Sequence, residues 1–287
     1  MLGQSRSRSS LELEGAFVRH NRVKDKLKRG EPVFGTWLST GDLLAARVLA
    51  RMEFDWLTLD MEHSPIDLAQ AAAVFGAVAD AGGVPLARVP AGQHEIIKRV
   101  LDAGAWGIVV PMVDTVEQAK IAIAAAKYPP LGNRSLGGSH HALNFAAPSG
   151  EYFQRANDEI LVVLQTESPR GIANAAEIYS LPGVDAIFVG PVDLRAQMRS
   201  NDGAEASDAE FEAALSRIVE VGKQCGTPTG MHVMSADAAL QRAAQGMQFI
   251  AIGSDVRYMS ERAGQILDTL HPTSNNEQSS SQRWVRY

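Results

Sequence analysis

Residues 160–168 read ILVVLQTES, an uninterrupted apolar run that ends in four polar residues. A strand on a half-exposed sheet alternates apolar and polar side chains, whereas this run does not, so both of its faces are expected to be buried. Burial on both faces is typical of a parallel sheet that is covered by helices. The stretch therefore predicts a parallel α/β fold with polar groups where the strand ends.

Seven further apolar runs recur along the chain, and stretches with helical periodicity separate them. The predicted strands are 33–38, 56–60, 84–89, 107–111, 160–165, 186–189, 228–232 and 249–252. The predicted helices include 68–81, 94–103, 116–127, 208–223 and 236–244. Eight strands alternating with helices predict a single (β/α)8 TIM barrel. A doubly wound open sheet is the alternative, although no strand leads into a glycine-rich dinucleotide or phosphate loop.

The barrel is expected to occupy residues 16–270 as one domain. Residues 1–15 carry arginines but no apolar core of a secretory signal, so they are predicted to be a disordered leader. Residues 271–287 are rich in Ser, Asn and Gln and are predicted to be a flexible tail. The longest irregular stretch is 128–150, which would lie on the catalytic face if it follows strand four.

The composition excludes several classes of protein. The 287 residues are 45% hydrophobic and 21% charged, as in an ordinary globular protein. The net charge is −6 and the basic residues form no stripe, so neither nucleic acid nor a membrane is an expected partner. The single cysteine, Cys225, allows no internal disulfide and no cysteine-rich zinc site, and it fits a cytoplasmic protein.

Polar residues follow the ends of several predicted strands, where TIM-barrel enzymes place their catalytic groups. His63 follows strand two, Arg88 ends strand three, Glu167 follows strand five and Asp193 follows strand six. Each has a structural alternative, since Arg88 could form an ion pair and Asp193 could lie in the first turn of a helix. The four together, at one end of the barrel, favour a reaction site.

The chemistry of this set favours a metal-assisted reaction of a 2-oxo acid. Two carboxylates suit Mg²⁺ or Mn²⁺, the arginine suits a carboxylate, and the histidine can exchange a proton near neutral pH. A cation on a 2-oxo acid would stabilise an enolate and support carbon–carbon bond formation or cleavage. None of the seven lysines ends a predicted strand, so a Schiff-base route is not expected.

These residues stand in segments that resemble the HpcH/HpaI family of metal-dependent class II pyruvate aldolases. The matching segments are FGTWL at 34–38, DWLTLDMEH at 55–63, PLARV at 85–89, DAGAWGIVVPMV at 102–113, YPPLGNRSLGG at 128–138, LQTES at 164–168, GVDAIFVGPVDL at 183–194 and FIAIGSD at 249–255. The resemblance implies a lyase that reversibly cleaves 4-hydroxy-2-oxo acids to pyruvate and an aldehyde.

The resemblance also implies roles at the matching positions. Glu167 and Asp193 would bind the divalent cation, which would be Mg²⁺, Mn²⁺ or Co²⁺, and this cation would stabilise the pyruvate enolate. His63 would be the catalytic acid and base, and Arg88 would hold and polarise the pyruvyl group.

Five further positions are implied to act at the site. Gln165 and the backbone of Gly190, Pro191 and Val192 would contact the substrate. Asp102 matches an aspartate that raises the basicity of the histidine across a subunit interface, which implies a homo-oligomer, namely a hexamer with an exchanged C-terminal helix.

Three histidines depart from this pattern. His232 stands where family members often have leucine, at a position that faces the acceptor aldehyde. It could favour a polar or anionic aldehyde, or it could only fill space. His140 and His141 are interpreted as a solvated pair in the long loop.

Three other functions remain open at this stage. A CoA-thioester lyase of the citrate or malyl-CoA type would need a basic cluster for the CoA phosphates, and none is evident near the strand ends. A metal-dependent phosphodiesterase would usually need more metal ligands. A non-catalytic binding protein would not need the complete set of His, Arg, Glu and Asp.

Overall fold

The computed structural model describes residues 18–271. The predicted leader, and the predicted tail beyond residue 271, lie outside the described residues. Eight parallel strands close into a barrel in chain order, and the first strand pairs with both the second and the eighth. The predicted (β/α)8 TIM barrel is therefore confirmed, and the open sheet is excluded because the first and last strands are hydrogen-bonded.

Every predicted strand is present, with ends that differ from the predicted ones by at most two residues. The strands are β1 (Val33–Leu38), β2 (Trp56–Asp60), β3 (Pro85–Arg88), β4 (Gly107–Val110), β5 (Leu161–Gln165), β6 (Ala186–Val189), β7 (Thr229–Val233) and β8 (Phe249–Ser254). All five residues of β5 are buried, as its unbroken apolar run predicts.

Helices surround the barrel. In the described residues they are α1 (Arg22–Lys28), α2 (Leu43–Leu49), α3 (Leu68–Asp80), α4 (His94–Asp102), α5 (Val116–Ala126), α6 (His140–Asn144), α7 (Ser149–Glu159), α8 (Pro169–Ala173), α9 (Ala175–Tyr179), α10 (Pro191–Gln197), α11 (Asp208–Cys225), α12 (Ala236–Ala244) and α13 (Asp255–Leu270). None of them is both long and apolar enough to cross a membrane.

An aromatic stack inside the barrel fixes how β1, β2 and β8 meet. The rings of Trp56 and Phe249 are nearly parallel, with centroids 4.4 Å apart. Gly35 lies beside Trp56 in the β1–β2 register, and a Cβ there would stand 2.1 Å from the indole. Such a stack contributes about 0.5–1.5 kcal/mol beyond the burial of its area. The barrel therefore needs a glycine in β1 where the indole fills the interior.

The long irregular stretch lies at the opposite end of the barrel from the one expected. It follows α5 and leads through α6 and α7 into β5, so it belongs to the end where strands begin, here called the amino end. Its Arg134 pairs with Asp102 at the end of α4, and its Asn144 donates to the Gly104 carbonyl before β4. The expectation that this stretch lies on the catalytic face is wrong, because a helix-to-strand loop returns to the amino end.

The two histidines of this stretch have different environments. His140 is exposed as interpreted, but His141 is 1% exposed, so the interpretation of a solvated pair is wrong for it. The His141 ring packs against the Tyr152 ring, with centroids 4.8 Å apart. Neither nitrogen of the His141 ring has a hydrogen-bond partner among the described residues. Burial lowers the pKa of His141 to about 4, and the positive charge of Arg134 adds to the shift.

We predict that His141 makes the fold sensitive to mild acid. The unfolded chain would protonate this histidine near pH 6.5, well above the folded pKa, so stability should fall as the pH drops from about 6.5 towards 4. His141→Phe cannot take up that proton, and its melting temperature should fall less between pH 7.5 and pH 5 than that of the unmodified protein.

His140→Phe, at the exposed neighbouring position, controls for the addition of a phenyl ring to this segment. Equal losses of melting temperature in the His141→Phe variant and the unmodified protein would contradict the assignment of the acid sensitivity to His141.

Candidate active site

A cavity of about 540 Å³ opens where the strands end, here called the carboxyl end of the barrel. Of the residues expected to act at the site, its lining contains His63, Arg88, Asp193, His232 and the segment 190–192. The cavity lies where TIM-barrel enzymes carry their active sites. The structure thus brings together, from separate strand ends, most of the residues that the sequence singles out.

Asp60 organises one side of this cavity. Its Oδ2 accepts from Arg88 Nη2 at 2.7 Å and its Oδ1 from Arg88 Nε at 2.9 Å, which is a two-point pair between β2 and β3. Oδ1 also accepts the backbone N–H groups of Glu62 and His63. Burial alone would raise the pKa of Asp60, but the hydrogen bonds and charge of Arg88 lower it below its usual value. Asp60 therefore fixes both the arginine and the turn that carries His63.

Part of the Arg88 side chain remains available to a ligand. The guanidinium stands 4.6 Å from the centroid of the Trp37 ring, in cation–π geometry. Asp60 uses the edge made by Nε and Nη2, while Nη1 makes no hydrogen bond with the described residues. The ion pair considered from sequence is thus present, and it leaves one edge of the fork for a carboxylate or carbonyl oxygen.

Glu167 is held in place by two neutral donors. Its Oε2 accepts the backbone N–H of Met112 at 3.0 Å, and its Oε1 accepts from Gln165 Nε2. Gly190 gives it room, since a Cβ at that position would stand 2.0 Å from Oε1. Met112 has a φ of 54°, a left-handed conformation that is uncommon for a residue with a side chain. The backbone is thus arranged to aim an N–H at the carboxylate without neutralising it.

Negative charge accumulates beside Glu167. Burial raises the pKa of Glu167 to about 7, and the charges of Asp193 and Glu62 add to the rise. Burial also raises the pKa of Glu62, against the opposing influence of Arg88 and His63. Asp193 lies in the first turn of α10, as considered from sequence, and lines the cavity there. A buried carboxylate that is repelled by two half-buried ones fits a divalent cation, which would relieve the repulsion.

The two expected ligands would leave coordination positions for substrate oxygens. The described residues contain no group of three or more His, Cys, Asp or Glu side chains that could hold a metal ion. Gln165 is fully buried, and its Oε1 has no hydrogen-bond partner in this part of the chain. An oxygen-rich site with two protein ligands suits a hard cation that also binds substrate and water.

His63 stands at the mouth of the cavity. Its side chain is 62% exposed, and its Nε2 lies 3.8 Å from Glu62 Oε2. That separation is too long for a hydrogen bond. No carboxylate among the described residues orients the imidazole by a hydrogen bond.

His232 lies deeper, on β7. Its Nε2 is 3.0 Å from the Gly253 carbonyl oxygen, and its ring meets Trp37 edge-on at 6.1 Å. Burial lowers the pKa of His232 to about 4, and the positive charges of Arg88 and Arg257 act in the same direction. The side chain is therefore a neutral imidazole at pH 7.

Asp102 is remote from the cavity of its own chain. It ends α4 at the amino end of the barrel, where its Oδ1 accepts from Arg134 Nη2 at 2.7 Å. Its side chain is 30% exposed, and its Oδ2 accepts no hydrogen bond from the described residues. The structure thus separates Asp102 from His63 within one chain, as its place before β4 indicates.

No lysine lines the cavity. Burial lowers the pKa of Lys127 to about 7, which would suit a nucleophilic amine. However, Lys127 Nζ donates to the carbonyls of Asn157 and Ile160, just before β5 begins. The buried amine therefore lies at the amino end, away from the other groups, and gives no Schiff-base site in the cavity.

Sequence reasoning assigned no role to three residues of this site. Asp60 and Glu62 were visible as polar groups at the end of β2, but their function depends on side-chain directions that spacing does not give. Trp37 reads as an ordinary core residue of β1. Only the fold brings it beside Arg88.

The chain matches known proteins over most of its length. Residues 34–280 match the family model described as HpcH/HpaI aldolase/citrate lyase. A hydroxypyruvate/pyruvate aldolase from Paraburkholderia phytofirmans is 36% identical over 256 residues, which cover 87% of this chain and 97% of that protein. A 2-dehydro-3,6-dideoxy-6-sulfogluconate aldolase from Pseudomonas putida is 36% identical over 244 residues, which cover 85% of this chain and 94% of that one.

A solved structure agrees with the sequence comparison. A crystal structure of an HpcH/HpaI aldolase/citrate lyase family protein from Burkholderia cenocepacia J2315 superposes with a TM-score of 0.80 at 35% identity. The match covers 87% of this chain and 99% of the other.

Proposed function

We propose that this chain, which belongs to the HpcH/HpaI aldolase/citrate lyase family and is a carbon–carbon lyase of the class II pyruvate aldolase type, works through His63, Arg88, Glu167 and Asp193. Its reaction is the reversible cleavage of a 4-hydroxy-2-oxo acid to pyruvate and an aldehyde. The observation that carries this proposal is one cavity lined by a half-free arginine, a histidine and Asp193, with the buried carboxylate of Glu167 close enough for the charge of Asp193 to raise its pKa.

Glu167 and Asp193 are the proposed ligands of a divalent cation, which can be Mg²⁺, Mn²⁺ or Co²⁺. When bound, such an ion stabilises negative charge on the oxygens of a 2-oxo acid. Met112 and Gln165 orient the Glu167 carboxylate for this task through neutral donors, so they do not compete with the ion for the charge.

Arg88 binds the pyruvyl half of the substrate with the edge of its guanidinium that Asp60 leaves free. The planar guanidinium can donate to a carboxylate or to the ketone oxygen of the substrate. These hydrogen bonds strengthen as negative charge grows on the oxygen. Gly190, Pro191 and Val192 also line the cavity, and their backbone is the proposed further contact for the substrate. This half of the site is thus rigid and polar before substrate arrives.

His63 moves the proton that cleavage requires. In the cleavage direction it takes the proton of the substrate's C4 hydroxyl, the C3–C4 bond breaks, and the bonding electrons pass to the pyruvate enolate. The C4 oxygen becomes the aldehyde carbonyl, and a proton then converts the enolate into the methyl group of pyruvate. In the addition direction His63 returns its proton to the new hydroxyl.

Asp102 supports this histidine from a second subunit in the proposed assembly. It lies at the wrong end of the barrel to reach His63 of its own chain, while its Oδ2 is free to accept from another imidazole. This role requires a homo-oligomer, for which a hexamer with an exchanged C-terminal helix is the proposed form, in the cytoplasm.

The cavity lining argues against a CoA-thioester lyase. Arg88 is the one lysine or arginine among the residues that line it, and Asp60 already pairs with that charge. The phosphates of CoA require more cationic groups near the opening.

We predict that activity depends on a divalent cation. A chelator should abolish the exchange of pyruvate methyl protons with solvent, and Mg²⁺, Mn²⁺ or Co²⁺ should restore it. Glu167→Gln and Asp193→Asn should each weaken Mn²⁺ binding measured by titration calorimetry, because an amide is a poorer ligand for a hard cation.

Glu177→Gln, at an exposed position on α9, is the matched control for the loss of one carboxylate. Full exchange of the pyruvate methyl protons in the presence of chelator would contradict the proposed metal dependence. Covalent trapping of pyruvate on the protein by borohydride would contradict it as well.

We predict that lysine cannot replace Arg88. Lysine keeps the charge but cannot bond Asp60 at two points and substrate at a third. Removing one partner of a buried charged pair costs about 2–5 kcal/mol, so kcat/KM for pyruvate should fall by about 30-fold or more. Arg195→Lys, at an exposed arginine of α10, is the control. Near-normal turnover in Arg88→Lys would make Arg88 purely structural.

We predict that His63 and Asp102 act as a unit. His63→Ala should lower turnover by about 10²–10⁴-fold while pyruvate and metal still bind. A carboxylate beside an imidazole favours its protonated form, so Asp102→Asn should move the acidic limb of the pH–rate profile to lower pH.

The shift should disappear in the His63→Ala background, since the two groups are coupled. If Asp102 only pairs with Arg134 in its own chain, Asp102→Asn would lower the melting temperature and leave the pH–rate profile in place.

A further inference from the structure

The protonation pattern of His232 is set by its neighbour. Its Nε2 lies 3.0 Å from the Gly253 carbonyl oxygen, and a carbonyl can only accept, so Nε2 must carry the hydrogen. The other nitrogen of a neutral imidazole, Nδ1, then holds a lone pair. Within the described residues Nδ1 makes no hydrogen bond. His232 therefore presents to the cavity a group that can accept but cannot donate.

Protonation of Nδ1 is opposed by its surroundings. Burial and the charges of Arg88 and Arg257 lower the pKa of His232, and Asp60 and the Gly253 carbonyl compensate only in part. A carboxylate or phosphate at this position would place its own lone pairs against that of Nδ1. A negatively charged ligand would thus gain no hydrogen bond from Nδ1 unless it forced a proton onto the ring.

Three serines add neutral polar groups to the lining of the cavity. The hydroxyls of Ser39 and Ser64 line it and make no hydrogen bond with the described residues. Ser254 Oγ accepts from the Arg257 N–H, so its own hydrogen can be donated. Together with Nδ1 of His232, these groups match an uncharged ligand that carries hydroxyls.

The position of His232 assigns it to the aldehyde half of the substrate. The Arg88 guanidinium stands over the Trp37 ring and His232 meets the same ring edge-on, so Trp37 contacts both the pyruvyl-binding arginine and this histidine. A substrate whose pyruvyl half is bound by Arg88 would therefore meet His232 with the half that is released as the aldehyde.

We propose that His232 selects short, uncharged aldehydes that carry a hydroxyl group, by accepting that hydroxyl's hydrogen at Nδ1. The inference rests on the proposed aldolase function and narrows its substrate class. Of the two acceptor classes that the sequence left open, it chooses the polar one and excludes the anionic one.

The test compares three aldehydes with pyruvate as the partner. Glycolaldehyde carries the hydroxyl, propanal replaces it with a methyl group of similar size, and glyoxylate carries a negative charge. The unmodified protein should show a kcat/KM for glycolaldehyde about 3- to 10-fold above that for propanal. This is the factor expected from one additional hydrogen bond. It should prefer glycolaldehyde to glyoxylate as well.

Three substitutions separate the two nitrogens of His232. His232→Gln can still donate to Gly253 but loses the acceptor at Nδ1, and His232→Leu loses both groups. In these two variants the ratio of kcat/KM for glycolaldehyde to that for propanal should fall towards one. His232→Asn keeps an oxygen near the place of Nδ1 and should retain part of the preference. A ratio taken within one variant cancels any loss in the shared pyruvate half-reaction.

Two results would overturn the proposal. One is an unchanged aldehyde preference in both His232→Gln and His232→Leu, and the other is a preference of the unmodified protein for glyoxylate. Exchange of pyruvate methyl protons by the unmodified protein is measured alongside. If exchange is present, either result removes only the role of His232, whereas absence of exchange removes the aldolase function itself.

Discussion

The two-point pair between Asp60 and Arg88 is the interaction on which the rest of the site depends. A carboxylate can accept about four hydrogen bonds, and Asp60 accepts four, two from Arg88 and two from the backbone of Glu62 and His63. Three of these bonds end on Oδ1 and one on Oδ2, and the pairing with Arg88 lowers the pKa of Asp60, which makes it a weak base. Because Asp60 takes two of the N–H groups of Arg88, the Glu167 carboxylate is left with neutral hydrogen-bond donors in the described residues.

The Glu167 carboxylate is oriented by groups that carry no charge. Glu167 accepts from a backbone N–H and from the Gln165 amide, and it approaches Gly190 where a side chain would collide with it. Neutral donors orient the Glu167 carboxylate without cancelling its negative charge. Its repulsion from Asp193 therefore persists, and the pKa of Glu167 stays high. Met112 stores some backbone strain in its left-handed conformation to supply one of these donors. The protein thus maintains a geometry that is unfavourable in itself and that a cation would relieve.

Sequence patterns predict the barrel and most of the residues around the cavity, because strand ends in a parallel barrel converge by topology. Sequence patterns do not predict which side chains form ion pairs. Whether Arg88 faces Asp60 or the substrate depends on side-chain directions, which the spacing of residues along the chain does not encode. The environment of His141 was also missed, because its burial arises from the packing of α6 and α7, which have no strong periodicity. Likewise, the tautomer of His232 depends on a carbonyl in β8, twenty-one residues further along the chain.

The amino end of the barrel places a constraint on how Asp102 can serve a neighbouring subunit. Arg134 is fully buried and pairs with Asp102 at one oxygen, so this contact holds the carboxylate in one orientation. The guanidinium also stacks over the Tyr128 ring at 4.6 Å, which fixes the position of the charge. Removing the aspartate would leave Arg134 as an unpaired buried cation, which is strongly destabilising. A structural role of Asp102 and its proposed role at a neighbouring site are therefore compatible, because the two roles would engage different oxygens of one carboxylate.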